Sequence, residues 1–593
     1  MRILILEDGK STQLLVKKRL EKENHTVEAV DNGHQGFQLA TTNSYDAIIS
    51  DIRMPHWDGF KFIEAMQVVC PHLPIIIMTS ADKNQQVLAK LKEYANVLAI
   101  SPKPVDFTLL FKILAKLQVQ SHVGINKKAR IVCTIGPASS DAKTLGQMIV
   151  AGMDVARLNF SHGSYEQHAE TLLAVREAEE QWNKPIAVLQ DLCGPKIRTG
   201  HMENGQINIE AGKPIVIQKK QIVGNATRIS TIAPEILSDL QVGDPVLLDD
   251  GLLELKVTQV DKDEVTCEVI VGGILKSGKG MNLPGTPLSL PSVTAKDWRD
   301  LDWGLEHSVD YVALSFVRTA DEIRTIKDYI AAAGKRDVRV VAKIEKPEAV
   351  NHIKEIIQVS DAIMIARGDM GVELPAARVP RIQQEIIRLC WQMNTPVITA
   401  TQMLDSMTTN SRPTRAEVTD VSTAIKEGTD AVMLSQETAT GYDPVNVVRT
   451  MASIICEEEH YTDLDPEQYQ QLLEENVANP VLTAVASFSN TAATLLLDPE
   501  GKLYPVLSKW SRKVPSILVT KSMHVARHAS LYKNIIPFII RDELDRDATV
   551  FRAIELALQM GCIRQGDLIS VVEGERSTKT GINQSGALQL VRV

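Results

Sequence analysis

Eight short apolar runs lie between residues 131 and 437, with polar or charged residues clustered at their C-terminal ends, and this repeat constrains the chain more than any other feature. The runs are IVCTIG (131–136), VARLNF (155–160), IAVLQDL (186–192), YVALSF (311–316), RVVAKIE (339–345), AIMIARG (362–368), PVITAT (396–401) and AVMLSQE (431–437). Near-continuous apolar runs mark strands buried on both faces, as in parallel sheets covered by helices. Helical patterns lie between most of them. The pattern predicts a (β/α)8 barrel whose polar strand ends gather at one mouth, where barrels build active sites. Between the third and fourth runs, residues 201–293 far exceed the length of a crossover. There the apolar pattern changes to period two, as in LLELKVTQV (252–260) followed by the turn DKDE, which predicts a small inserted β domain.

Five further strand runs precede the barrel: RILILED (2–8), TVEAVD (26–31), DAIISDI (46–52), PIIIMTS (74–80) and VLAISP (97–102). With helices between them they predict a doubly wound parallel sheet over residues 1–118. Residues 119–127 read as a linker. The barrel takes 128–200 and 294–470, and the inserted domain 201–293. After an acidic helical stretch (456–477), residues 480–593 return to mixed α/β and end on the strand-like ALQLVRV. The whole chain is therefore α/β in class.

Bulk properties exclude several functions. The net charge of −10 argues against a nucleic-acid-binding surface, which wants a basic patch. No run approaches the ~18–20 apolar residues of a membrane span. The start, MRILILEDGK, turns acidic too soon for a signal peptide. Seven scattered cysteines form no CxxC pair, and Cys133 and Cys193 are expected to pack rather than react. A cytoplasmic protein is expected.

At the ends of the first and third N-terminal strands stand Glu7, Asp8 and Asp51, side by side in a parallel sheet. Such carboxylates repel unless a divalent cation joins them, and oxygen ligands suit Mg²⁺. Thr79 and Lys103 end the fourth and fifth strands, where a hydroxyl and an ammonium could stabilise a phosphoryl group on Asp51. Through ILED, SDIRMPHWDG, MTS and SPKP, residues 1–118 resemble a two-component response-regulator receiver domain, a flavodoxin-like fold. The resemblance implies that Asp51 accepts a phosphoryl group from a histidine kinase, with Glu7, Asp8 and the Arg53 carbonyl holding Mg²⁺. One departure is Ile100, where receivers usually carry the aromatic ring that reports phosphorylation.

In the barrel, VARLNFSHG places Arg157, Asn159, Ser161 and His162 around the second strand end. DLCGPKIRTG supplies Asp191, Lys196 and Arg198 after the third, and KIE puts Lys343 and Glu345 on one face of the fifth. Asp369 stands in RGDMG after the sixth, and Thr401 in TATQML after the seventh. Glu345 and Asp369 can share a hard cation, while Arg157, Arg198 and Lys343 concentrate positive charge. Such a set suits phosphoryl transfer, where positioning and charge stabilisation dominate.

KARIVCTIGPASS, VARLNFSHGS, GPKIRTG, GKGMNLPG, VVAKIEKPEAV, IARGDMGVELP, TATQMLDSM, RPTRAEVTDV and AVMLSQETA stand in an order that makes residues 128–593 resemble pyruvate kinase. The resemblance implies phosphoryl transfer from phosphoenolpyruvate to ADP in a homotetramer. Lys343 would neutralise the transferring phosphoryl and the enolate. Arg157 would bind phosphate, and Gly368, Asp369 and Thr401 the substrate carboxylate. Thr401 would help protonate the enolate, and Glu345 and Asp369 would hold Mg²⁺ or Mn²⁺. Arg198, Lys279, His162 and Asn159 would approach the nucleotide, Lys279 as the inserted domain closes like a lid.

Three departures refine this reading. Relatives that need K⁺ hold it at positions matching Asn159, Ser161, Asp191 and the Leu192 carbonyl, with Glu at the position of Lys196 and Thr at that of Leu192. Lys196 therefore reads as a tethered substitute for the ion, and activity without K⁺ is expected. The stretch DPEGKL (498–503) lacks the hydroxyls of a sugar-bisphosphate loop, so activation there is not expected. Gln436 replaces a usual glycine. The alternative reading is a catalytically weak metabolite-sensing module coupled to the receiver.

Overall fold

The computed structural model describes residues 2–114, 127–461 and 491–593, except 24, 44, 70–72, 80–86, 88–89, 92–93, 95, 112, 511–513, 543, 574–575, 578–582 and 585–587. The expected linker, apart from residue 127, and the part of the acidic stretch after residue 461 lie outside the described residues.

At the N-terminus a parallel sheet runs in the order Thr26–Val30, Arg2–Leu6, Ala47–Asp51, Ile75–Thr79 and Val97–Pro102. The three central strands are almost wholly buried, which explains their uninterrupted apolar runs. Glu7, Asp51, Thr79 and Lys103 all fall at one edge of this sheet.

The eight predicted runs close into a parallel barrel: Arg130–Thr134, Val155–Asn159, Ala187–Asp191, Tyr311–Leu314, Arg339–Ile344, Ala362–Ala366, Val397–Ala400 and Ala431–Leu434. Several strands stop short of the apolar pattern because a helix begins inside it. Arg367–Glu373 is helical, and so is Gln436–Ala439. The inserted segment forms an antiparallel-rich sheet of six strands and a separate pair, built around its own apolar core. The C-terminal sheet orders Ile535–Ile539, Ser516–Thr520, Ala493–Leu497, Leu568–Glu573 and Leu588–Arg592, the last strand running antiparallel.

At the barrel floor a device repeats four times. Asp154, Asp310, Asp361 and Asp430 each precede an even-numbered strand. Each donates its backbone N–H to the first paired carbonyl of the odd strand before it, at Ile131, Val188, Val340 and Val397. Each carboxylate then accepts the N–H of that same residue, at 2.9, 2.7, 2.8 and 2.9 Å respectively. Strand starts have no ladder partner for these groups, so the aspartates satisfy buried backbone that would otherwise be costly. Cations neutralise every one: Lys127 and Lys184 at Asp154, Arg176 at Asp310, Lys327 at Asp361 and Lys509 at Asp430.

Lys509 comes from the C-terminal domain, so one carboxylate of this ring also anchors that domain. Tyr311 adds a hydrogen bond of 2.8 Å to the His528 carbonyl, and Arg130 donates to the carbonyls of Tyr532 and Ile535. Barrel-floor side chains and Leu496, Leu507, Leu518 and Leu531 form one core across the seam. Asp430→Ala would remove the carboxylate that accepts the Val397 N–H and pairs with the buried Lys509 ammonium. Denaturant unfolding should show a loss of about 3–5 kcal/mol, typical of a broken buried pair. A loss below about 1 kcal/mol would contradict this role.

Candidate active site

The second, third and fifth strands supply a row of alternating charges at the barrel mouth, and Ser315 joins it from the end of the fourth. Arg157 Nε donates to Asp191 Oδ2 at 2.7 Å, and Lys343 Nζ stands 3.2 Å from Asp191 Oδ1. The second contact is an ion pair without hydrogen-bond alignment, which leaves that oxygen unsatisfied. On its other side Lys343 Nζ lies 3.0 Å from Glu345 Oε1 and donates to Ser315 Oγ at 2.7 Å. Ser315 in turn donates to the Leu192 carbonyl at 2.7 Å.

These charges are mutually dependent because all are buried. Burial works against the Lys343 ammonium, yet Asp191 and Glu345 outweigh it and hold its pKa above that of an ordinary lysine. Burial also favours the neutral form of Asp191, but Lys343 and Arg157 keep that carboxyl below its usual range. Glu345 is pushed up, mainly by burial and further by the charge of Asp369, against the pull of Lys343. Two carboxylates that repel one another in this way present the hard oxygen donors that suit Mg²⁺ or Mn²⁺.

The backbone around this row is strained in a specific manner. Phe316 has φ 55°, Thr401 φ 70° and Gln402 φ 54°, a left-handed region that non-glycine residues enter at roughly 1–3 kcal/mol each. Side chains of the site hold these turns. Glu345 Oε2 accepts the Phe316 N–H at 2.8 Å. Arg367 donates to the Thr401 carbonyl at 2.8 Å and grips both oxygens of Asp420 at 2.7 Å. The Thr401 hydroxyl accepts the Gly368 N–H at 2.7 Å and donates to the Ala400 carbonyl at 2.6 Å. Gly368 and Asp369 lie in the first turn of the Arg367–Glu373 helix, beside that hydroxyl.

On the other side of the mouth, DLCGPKIRTG turns at Gly194, whose φ is 67° and where a Cβ would come within 2.7 Å of the Phe316 ring. Lys196 is exposed. Among the described residues its ammonium makes no hydrogen bond to the oxygens expected around a monovalent cation. Those oxygens have other partners: Asn159 Oδ1 accepts the Ser161 N–H at 3.1 Å, Asp191 faces Arg157 and Lys343, and the Leu192 carbonyl takes the Ser315 hydroxyl. The charge of Lys196 still reaches the site. Burial, then Lys196, Arg198 and Arg157, lower the His162 pKa and favour its neutral ring. Arg198 donates to the Gly278 carbonyl of the inserted domain at 2.9 Å, and within that domain Lys279 Nζ pairs with Asp249 at 2.8 Å.

In the N-terminal domain the carboxylates of Glu7, Asp8 and Asp51 bring oxygen atoms within 4.8 Å of one another. Lys103 Nζ bridges Asp51 Oδ2 at 2.7 Å and Glu7 Oε2 at 2.6 Å. Burial opposes the Lys103 charge, and the bonds to Asp51 and Glu7 overcome it and raise its pKa. Thr79 is buried at the neighbouring strand end, and Ile100 packs against the domain core.

Sequence reasoning missed Ser315, Arg367 and the four floor aspartates. The aspartates had a visible signal: DVAR, DYVA, DAIM and DAVM each set Asp directly before an even strand. Arg367 stands beside the motif already selected. Ser315 shows no pattern of its own.

Comparison with known proteins agrees with this division of the chain. Residues 3–115 match the response regulator receiver domain, 126–448 the pyruvate kinase barrel domain and 477–587 the pyruvate kinase alpha/beta domain. The pyruvate kinases of Staphylococcus aureus strains MRSA252 and USA300 are each 40% identical over 472 residues, covering 78% of this chain and 80% of theirs. Fold and site together define a barrel enzyme with a receiver domain ahead of it. The chain belongs to the pyruvate kinase family, whose substrates are phosphoenolpyruvate and ADP. No helix among the described residues is long and apolar enough to cross a membrane.

Proposed function

We propose that this pyruvate kinase works without K⁺ and is regulated through its receiver domain. The observation that carries the catalytic assignment is the buried row Arg157–Asp191–Lys343–Glu345. Lys343 presents its ammonium to the transferring phosphoryl group and to the enolate oxygen left behind. Arg157 holds the phosphate. Gly368, Asp369 and Thr401 orient the substrate carboxylate. The Thr401 hydroxyl, which exchanges hydrogen bonds with Gly368 and Ala400, holds a proton for the enolate carbon through water in this reading. Glu345 and Asp369 would hold the divalent cation, which supplies charge neutralisation when bound. Arg198, Lys279, neutral His162 and Asn159 meet the nucleotide. A complete cation and carboxylate set speaks against a merely sensing module.

Support for K⁺ independence comes from the charge already built in. Asp191 is shared by two tethered cations, the Leu192 carbonyl is capped by Ser315, and Lys196 adds a third cation at the rim. Pyruvate formation in K⁺-free buffer should retain most of its rate. Strict loss of activity, restored by adding K⁺, would sink this reading.

Asp51 is the proposed phospho-acceptor, with a histidine kinase as donor. Its support is the Lys103 bridge and the acidic cluster able to hold Mg²⁺. At the stretch 498–503 the Asp498 carboxylate accepts the N–H groups of Lys502, Leu503 and Tyr504 at 2.9, 2.7 and 3.0 Å. An internal anion thus fills this turn, so the reading assigns no sugar-bisphosphate activation there and gives regulation to the receiver. Family resemblance is the ground for a homotetramer, and the bulk properties of the sequence are the ground for a cytoplasmic one. Treatment with a small phosphodonor should shift phosphoenolpyruvate saturation in the native chain and not in Asp51→Ala. Identical curves for both would remove the regulatory claim.

A further inference from the structure

A second buried ion pair lies at the edge of the site. Lys346, next to Glu345, places Nζ 2.7 Å from Glu373 Oε1. Glu373 closes the short helix whose first turn carries Gly368 and Asp369. The same Oε1 accepts a 3.0 Å hydrogen bond from Nδ2 of Asn282, which belongs to the inserted domain. One carboxylate oxygen therefore joins the fifth strand end, the helix after the sixth strand and the lid.

Asn282 occupies a special place in that lid. Its strand, Met281–Asn282, pairs with Pro245–Leu248, so it is part of the six-stranded sheet. Three residues earlier is Lys279, whose N–H donates to Thr199 Oγ1 at 3.0 Å while its carbonyl accepts the Thr199 N–H at 2.9 Å. Gly280 bridges to Arg198. The chain leaving the barrel at 198–199 and the segment 279–280 thus form one ribbon that carries Arg198 and Lys279. Asn282 extends that ribbon to the barrel rim, where Glu373 receives it.

We infer that Asn282 is a positioning residue for the nucleotide. Its amide bond to Glu373 is the pivot that sets where Arg198 and Lys279 stand above the barrel mouth. The inference rests on the reading of those two cations as nucleotide-phosphate ligands. The pivot reads charge: it needs a donor facing a carboxylate. A packing contact would need only the shape of the side chain.

The test uses the full-length enzyme and steady-state kinetics with each substrate varied. Asn282→Ala removes the bond and should raise KM for ADP about threefold. Asn282→Asp keeps the shape but sets a second carboxylate against Glu373, and should raise it about tenfold or more. In both, kcat and KM for phosphoenolpyruvate should stay within about twofold, and the melting temperature should stay near that of the native chain. Lys279→Ala, run beside them, should also raise KM for ADP. If Lys279→Ala raises it but Asn282→Asp does not, or if Ala at 282 is worse than Asp, the pivot is refuted. If Lys279→Ala leaves KM for ADP unchanged, the nucleotide reading of the lid falls and the pivot with it.

Discussion

Asp191 is the charge on which the site depends. Arg157 and Lys343 both lie at its carboxylate, buried from water. Two unit charges ~4 Å apart interact by about 4 kcal/mol at an effective dielectric of ~20, so cations gathered this closely repel strongly unless a counter-charge stands between them. Asp191 supplies it from the end of the third strand, and Glu345 supplies a second from the fifth. The result is a pair of cations fixed in place by two carboxylates before any substrate arrives, the kind of positioning that phosphoryl transfer asks of a protein. The charge of Asp369 adds to burial in raising the Glu345 pKa, against the pull of Lys343.

At the opposite end of the barrel, carboxylates serve a structural purpose. The four floor aspartates close backbone hydrogen bonds that strand starts leave open, and each is neutralised by a cation. Two of the positions also connect outward. Asp154 pairs with Lys127, the last residue of the expected linker from the receiver, and Asp430 pairs with Lys509 of the C-terminal domain. The same residue type thus builds the scaffold at one end and organises the chemistry at the other. Burial and partner choice set the difference.

Much of this was legible from residue order. Parallel strands buried on both faces must be apolar throughout, so the eight runs and their polar ends announced the barrel and its mouth. Arg157, Asp191, Lys343, Glu345, Asp369 and Thr401 stood at those ends and were selected for that reason. What remained hidden depends on contacts between distant segments. Ser315 matters because a carbonyl and an ammonium reach it from other strands. Glu373 joins Lys346 to Asn282, 91 residues away. Strand bounds were overrun at 362–368 and 431–437, because the polar residues that close those runs already belong to the helices Arg367–Glu373 and Gln436–Ala439. Lys196 was chosen by its departure from a family pattern, and the structure places it at the exposed rim with its field, and not its hydrogen bonds, directed at the site.

The negative charge of Asp191 organises the two cations beside it. Asp191→Asn keeps the shape and removes only the charge, so its effect on kcat for pyruvate formation is the most direct measurement. With the fold intact by circular dichroism, kcat should fall by ~10² or more, the scale of losing one preorganised charge-stabilising contact. A kcat within about twofold of the native value would contradict the account.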